Sequence, residues 1–257
     1  MRLENNATKH SIRSSILEQI ISELKNNPVD SYIVTLPASN WKFETMLIAI
    51  LTRLFPRIKF TLHCFESNWG TYKANTTGDN KANLPFDITR TEDYFVYGKE
   101  SNVEIIYQWS NLDADDINNG CKVRNQRLIL WADYCCYPID YPDKELTPMK
   151  DLTFFLNNFD DALIYQTHAV NLRRCRYQKG FNFQSGSPKD NAREILSYYR
   201  KKHPNRNRIP RIEIFDYLYK GGDPVDGRAP LTPMFTFGWR TGLSGSDHIE
   251  KEKVTYN

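Results

Sequence analysis

An acid, a phenol and two thiols stand together at the end of one apolar segment of this chain. Residues 127 to 132 are almost entirely hydrophobic, and the side chains that follow are those of Asp133, Tyr134, Cys135 and Cys136. A short continuous apolar run is typical of a parallel strand that is buried on both faces. Because ligands of open α/β sheets bind outside the carboxyl ends of the strands, Asp133 and Tyr134 are predicted to lie at a functional site.

A second candidate for a functional surface is the basic segment from Arg173 to Arg211. It contains twelve Lys or Arg residues and two acids, a net charge of +10, which leaves −7 for the remainder because the whole chain carries +3. Such segregation fits a polyanion, and the alternative is a solvated helix and loop whose charges only maintain solubility. The residues predicted to contact nucleic acid are Arg173, Arg174, Arg176, Arg200, Lys201, Lys202, Arg206 and Arg208.

The composition indicates an ordinary globular protein, with 40% hydrophobic and 25% charged residues. The most apolar helix candidate, residues 46 to 55, is too short to span a membrane and contains Arg53. We therefore expect a soluble, intracellular, cytoplasmic protein that does not bind a membrane. Five cysteines without a CxxC pair predict reduced thiols and no metal site.

Strand and helix patterns alternate along the chain and position these residues. The first half predicts a helix with apolar residues from Ile12 to Leu24, and then a strand, helix, strand unit at 32–36, 43–55 and 58–65. Further strands are predicted at 103–109, 128–132 and 162–167, further helices at 147–157 and 190–202, and a terminal antiparallel hairpin from 211–219 and 234–239. Residues 67–93 are rich in Asn, Thr, Gly and Asp and predict a long loop.

This order of elements indicates one α/β domain over residues 1–243, with a long loop at 67–93, a basic insertion at 173–211 and a flexible tail at 244–257. Five strands of the parallel type, followed by an antiparallel hairpin, resemble class I S-adenosylmethionine-dependent methyltransferases over roughly residues 10 to 242. The resemblance implies a Rossmann-like, mostly parallel sheet with helices on both faces and a C-terminal antiparallel hairpin. It also implies S-adenosylmethionine as the cofactor.

The resemblance implies a cofactor site at three places in the sequence. Residues 32–40 match the family's first strand and cofactor loop, where an acid and a glycine-rich turn are usual; here the loop has no glycine, but Ala38 and Ser39 are small and Asn40 tolerates a left-handed backbone. An acid after the second strand accepts hydrogen bonds from the ribose hydroxyls, and a later one accepts from the adenine amino group. The implied cofactor residues are Leu36, Pro37, Ala38, Ser39, Asn40, Glu66 and Asp113.

The segment 133–136 falls where amino-methylating members carry Asp or Asn, two prolines and an aromatic residue. By this resemblance Asp133 accepts the hydrogens of an exocyclic amine and Tyr134 stacks on the base, although the prolines are absent. One alternative is that Asp133 only caps a turn. Another is that Cys135 or Cys136 attacks a pyrimidine as a thiolate. Cysteines more commonly serve as buried structural thiols, which is the competing interpretation of these two residues.

Three functions follow as hypotheses. The first is a methyltransferase that acts on nucleic acid, at an amino group of a base. The second is a catalytically inactive methyltransferase-fold protein that serves as a nucleic-acid-binding or scaffold subunit, with protein partners in an assembly. The third is another α/β enzyme that uses a different nucleotide or methylates a small molecule.

Three aromatic residues, Trp41, Trp69 and Tyr72, are candidates for stacking on a base or on adenine.

Overall fold

The computed structural model of the protein describes residues 7–37, 41–78, 81–133, 148–169, 211–220, 231–241 and 251–254. The chain divides into two compact units, one formed by Arg13–Ala132 and the other by Met1–Ile12 together with Asp133–Asn257. The single domain over residues 1–243 and the flexible tail stay predictions. In the described part of the chain, no helix is both long enough and apolar enough to cross a membrane.

Every predicted helix and strand that lies within the described residues is present, and five further helices and strands were not predicted. The helices are α1 Ala7–Asn26, α2 Lys42–Leu54, α3 Trp69–Thr76, α4 Ala114–Arg124 and α5 Pro148–Asn158, and Lys81–Asn83 form a short 3-10 turn. The strands are β1 Ser31–Thr35, β2 Phe60–Phe65, β3 Asp87–Glu92, β4 Phe95–Glu100, β5 Val103–Gln108, β6 Arg127–Asp133, β7 Ala162–Ala169, β8 Arg211–Lys220, β9 Leu231–Arg240 and β10 Lys251–Val254.

In the unit Arg13–Ala132 the strands lie in the order β6, β1, β2, β5, β4, β3. The first four are mutually parallel, whereas β4 and β3 are antiparallel to their neighbours. Every residue of β1 and β2 is buried, which explains the continuous apolar patterns from which they were predicted. The strand order reverses between β1 and β6, and in this class of sheet such a point is where ligands bind.

Helices cover both faces of that sheet. On one face, Gly120 of α4 lies so close to Tyr32 that a Cβ at this position would come within 2.5 Å of the phenol oxygen. On the other face, Phe43 of α2 packs against Trp131, with ring centroids 4.2 Å apart. Trp131 is the register partner of Thr35, three residues beyond Tyr32, and strand alternation therefore places the two helices on opposite sides.

Residues 67–93 are not the predicted loop, because they contain α3, the 3-10 turn and β3. The side chain of Asn68 accepts the backbone N–H of Thr71 and so caps α3, a signal that the Asn- and Thr-rich composition concealed. Strand β3 is a polar edge strand with most of its residues exposed, so it lacks the alternating hydrophobic pattern that identifies a strand.

The second unit contains α5 and the remaining strands. Strand β9 lies between β7 and β8 and is antiparallel to both, so the predicted C-terminal hairpin is confirmed. Buried hydroxyl groups tie β7 to β9, with Thr167 Oγ1 and Thr236 Oγ1 2.9 Å apart. Within the segment predicted as a tail, β10 pairs in parallel with β8. The α/β, Rossmann-like, mostly parallel fold class is confirmed.

Candidate functional site

The carboxyl end of β1 leads into the segment that the sequence assigns to the cofactor. Leu36 is half-buried and Pro37 is buried, while Ala38, Ser39 and Asn40 lie outside the described residues. Trp41, which follows, precedes α2 with a left-handed backbone at φ 51°, and no side chain caps the helix there. A left-handed conformation is strained for so bulky a residue, and such strain is often found at functional sites.

A buried acid that no sequence pattern predicted follows this segment in the chain. Glu44, in the first turn of α2, is 2% exposed and hydrogen bonds the side chain of Thr35 at the end of β1. Burial raises the pKa of the Glu44 carboxyl group, while the backbone, Thr35 and the positive charge of Arg13 oppose the increase. The Thr35 hydroxyl in turn lies 3.4 Å from the Cys64 thiol, so these groups form a polar row beneath the strand ends.

Glu66 lies immediately after β2, as predicted, and its position is fixed by its neighbours. Its backbone N–H donates to the carbonyl of Gln108 at 3.0 Å, which aligns it with the end of β5. Its Oε1 accepts the N–H of Asn68 at 2.7 Å, so the residue that caps α3 also holds the carboxylate. With one oxygen held by the backbone, the carboxylate has a defined orientation at the carboxyl edge of the sheet.

Four aromatic residues gather beside Glu66, and we call Trp69, Tyr72, Tyr94 and Trp109 the aromatic cluster. The centroid of the Trp109 ring lies 4.5 Å from that of Trp69 and 5.4 Å from that of Tyr94, and Trp69 stacks on Tyr72 at 5.7 Å. Trp109 also donates its indole N–H to the carbonyl of Ser67 at 3.3 Å.

Exposure separates the members of the aromatic cluster. Trp69 and Tyr94 are 46% and 52% exposed, so part of each side chain is open to solvent. Of the stacking candidates from the sequence, only Trp69 is therefore available, because Tyr72 and Trp41 are buried in packing. Trp109 and Tyr94 were missed, although the position of Trp109 directly after the apolar pattern of β5 could have indicated it.

Asp113 is the N-cap of α4, a helix that was not predicted from the sequence. Its Oδ1 accepts the backbone N–H groups of Asp115 and Asp116 at 2.9 and 3.0 Å, the arrangement of an N-cap. Its two acidic neighbours lie inside the helix, and Asp116 accepts a hydrogen bond from the side chain of Gln108 at 3.0 Å. Within this acidic run, Asp113 is thus distinguished by its position as the cap.

Beneath α4, a directed chain of hydrogen bonds crosses the sheet from β1 to β5. The phenol of Tyr32 lies 2.6 Å from His63 Nδ1, and His63 Nε2 lies 2.8 Å from Gln108 Oε1. Because the amide of Gln108 donates to the Asp116 carboxylate, its oxygen accepts from Nε2–H. Burial lowers the pKa of His63 to about 4, so the imidazole is neutral at neutral pH and its Nδ1 accepts from Tyr32.

The predicted acceptor site is described only at its first residue. Asp133 is the half-buried last residue of β6, as the apolar pattern indicated. Tyr134, Cys135 and Cys136 lie outside the described residues, as do all eight of the predicted nucleic-acid contacts: Arg173, Arg174, Arg176, Arg200, Lys201, Lys202, Arg206 and Arg208. The described cysteines, Cys64 and Cys121, are free and buried.

Comparison with known proteins finds similarity at the level of the fold and none at the level of the sequence. No protein-family model matches the chain, and no curated protein matches it. A candidate class I S-adenosylmethionine-dependent methyltransferase of Listeria monocytogenes superposes with a TM-score of 0.50 at 9% identity, covering 100% of this chain and 67% of that one. The chain has a class I methyltransferase fold.

Two further solved structures have lower similarity. The DszA carbon methyltransferase has a TM-score of 0.42 at 8% identity, over 96% of this chain and 56% of that one. Phosphoethanolamine N-methyltransferase 1 of Haemonchus contortus, in complex with phosphoethanolamine and S-adenosylhomocysteine, has a TM-score of 0.33 at 10% identity, over 87% and 40%. This protein therefore spans only part of the length of the methyltransferases it resembles.

Proposed function

We propose that this protein is an S-adenosylmethionine-dependent methyltransferase that acts on nucleic acid, at an amino group of a base. The observation that carries the proposal is the Glu66 carboxylate, which is held at the carboxyl end of β2 next to Ser67, whose carbonyl accepts the indole N–H of Trp109 from the aromatic cluster. A carboxylate accepts hydrogen bonds from both hydroxyls of a ribose, and a planar ring beside it offers a surface for a purine. These groups fit an adenosine moiety.

The cofactor would be held by residues at the carboxyl edge of the sheet. Glu66 would bind the ribose, Asp113 the adenine amino group, and the segment 36–40 the remainder of the cofactor. Asp113 can accept a further hydrogen bond while its Oδ1 caps α4, because a carboxylate has several acceptor positions. When bound, S-adenosylmethionine supplies a methyl group activated by a sulfonium.

At the acceptor, we propose that Asp133 accepts the hydrogens of the base amine, orients its lone pair and limits its rotation. Tyr134 would stack on the base. The eight basic residues between Arg173 and Arg208 would contact phosphates and bring the polyanion to the site. Since a base has a flat apolar face and an edge of donors and acceptors, the ring would stack on the face while the acid accepts from the amine, which together orient the base.

Calorimetric titration with S-adenosylhomocysteine tests the cofactor assignment. We expect binding by the wild-type protein and about tenfold weaker binding by Glu66→Gln, which loses charge but keeps shape. Glu100→Gln, at the exposed end of β4, is the matched control and should bind like the wild type. Absence of binding at millimolar ligand, or equal effects of the two substitutions, would refute the assignment.

A second function, that of an inactive nucleic-acid-binding or scaffold subunit, is favoured by one observation. Trp41 is fully buried at the end of a cofactor segment without glycine, where close approach of backbone to ligand is least favourable. This alternative predicts strongly salt-dependent nucleic-acid binding without methyl transfer. Transfer of labelled methyl to RNA or DNA, abolished by Asp133→Ala, would exclude it.

A further inference from the structure

Tyr107, the penultimate residue of β5, lies on the same side of the sheet as Glu66. It is the register partner of Cys64, and Glu66 follows Cys64 by two residues while its backbone still pairs with β5. Strand alternation therefore directs both side chains to one face. The charge of Glu66 acts on the phenol, since burial raises the pKa of Tyr107 and the nearby carboxylate raises it further.

Asn75 of α3 fixes the Tyr107 hydroxyl. Its Nδ2 donates to the phenol oxygen at 3.0 Å, and both residues are completely buried. The phenol thus uses an acceptor position for Asn75 and keeps its own O–H to donate; among the described residues none accepts that hydrogen. The same helix begins at Asn68, whose N–H holds Glu66, so α3 positions both the carboxylate and the phenol.

We propose that Tyr107, oriented by Asn75, is a positioning residue whose hydroxyl donates to the Glu66 carboxylate when that group binds a vicinal diol. One carboxylate oxygen is held by Asn68, and the phenol orients the other as the diol binds, so both lone-pair directions needed by two neighbouring hydroxyls become fixed in the complex. The inference rests on the proposed cofactor site and adds a specificity to it, namely for ribose over 2′-deoxyribose. A site with fixed acceptors discriminates strongly against a ligand that lacks the matching hydroxyl.

The test compares S-adenosylhomocysteine with its 2′-deoxy analogue by calorimetry. The wild-type protein should prefer the ribose ligand, and Tyr107→Phe, which keeps the ring, should reduce that preference by about tenfold. Asn75→Ala keeps the phenol but frees it, and should reduce the preference by a smaller factor. Tyr97→Phe is the matched control, because its hydroxyl lies on the edge hairpin, where it donates to the Glu92 carboxylate at 3.4 Å, and its preference should equal that of the wild type.

The outcomes separate this inference from the proposed function. If the wild-type protein binds neither ligand, the cofactor site itself is refuted and the inference with it. If it binds S-adenosylhomocysteine but Tyr107→Phe and Asn75→Ala both keep the wild-type preference, the positioning role alone is refuted. A general weakening of both ligands by the same factor in these variants would also refute it, because a purely structural defect leaves the ratio unchanged.

Discussion

His63 should make the stability of the protein fall as the pH decreases below neutrality. The side chain is 4% exposed and neutral in the hydrogen-bond chain from Tyr32 to Asp116, with its pKa lowered to about 4 from 6.5. Below pH 6.5 the unfolded chain binds a proton at this residue and the folded protein does not, so the free energy of unfolding decreases. The loss continues until the pH reaches the folded-state pKa.

The size of the effect follows from the two pKa values. At pH 7.5 His63 is largely neutral in both the folded and the unfolded state, so it does not lower the free energy of unfolding. At pH 5 the unfolded side chain is protonated 1.5 units below its ordinary pKa while the folded one stays mostly neutral. At about 1.4 kcal/mol per unit, the free energy of unfolding should be lower by about 2 kcal/mol.

Urea denaturation at pH 7.5 and pH 5 measures this loss when the wild type is compared with His63→Gln. The variant keeps a side chain that can both donate and accept, but it does not titrate, and the four other histidines contribute equally to both proteins. The pH-dependent loss of stability should be smaller in the variant by about 2 kcal/mol. Equal losses in the two proteins would show that the buried, neutral imidazole is a wrong assignment.

Three further predictions concern named contacts, each measured by urea denaturation at neutral pH. Glu23→Gln should destabilise the protein by about 3 kcal/mol, because the buried guanidinium of Arg127 loses the negative charge 3.2 Å away. Glu92→Gln, in the exposed pair with Arg90, should cost less than about 1 kcal/mol. Gly120→Ala should cost about 2 kcal/mol despite better helix propensity, because its methyl group would collide with Tyr32; a neutral result would contradict the close packing of α4. Asp113→Ala should cost about 1 kcal/mol through the lost cap, and Asp113→Asn, which can still cap, should be nearly neutral; equal losses in the two would contradict the cap.

The elements that were predicted well from the sequence are the strands that are buried on both faces, because such burial produces a continuous hydrophobic pattern. Strands β1, β2 and β6 are buried on both faces, so their continuous apolar runs fixed both their existence and the positions of Glu66 and Asp133 at their ends. The helix α4 was missed because only Ile117 and Cys121 of its residues are buried, which leaves too little periodicity to detect.

The parts of the candidate site that escaped prediction depend on contacts between distant segments. Glu44 looks like any helical surface acid until the fold buries it against Thr35. The aromatic cluster combines a helix start, a hairpin turn and a strand end, and no local spacing connects Trp69 with Tyr94. Tyr107 likewise contacts Asn75 only in the folded protein, because Asn75 lies 32 positions earlier in the chain. Such juxtapositions are properties of the folded topology.

The hairpin of β3 and β4 lies at the edge of the sheet, where it looks dispensable. Phe86, which directly precedes β3, nevertheless connects the hairpin to the buried core. The Phe86 ring lies directly over Gly98, where a Cβ would come within 2.0 Å of it, and it also packs against Trp41 with ring centroids 5.7 Å apart. A shortened version of the protein that ends the sheet at β5 would uncover the indole at the start of α2. Truncated versions of the protein for crystallography or engineering should therefore retain the hairpin and keep glycine at position 98.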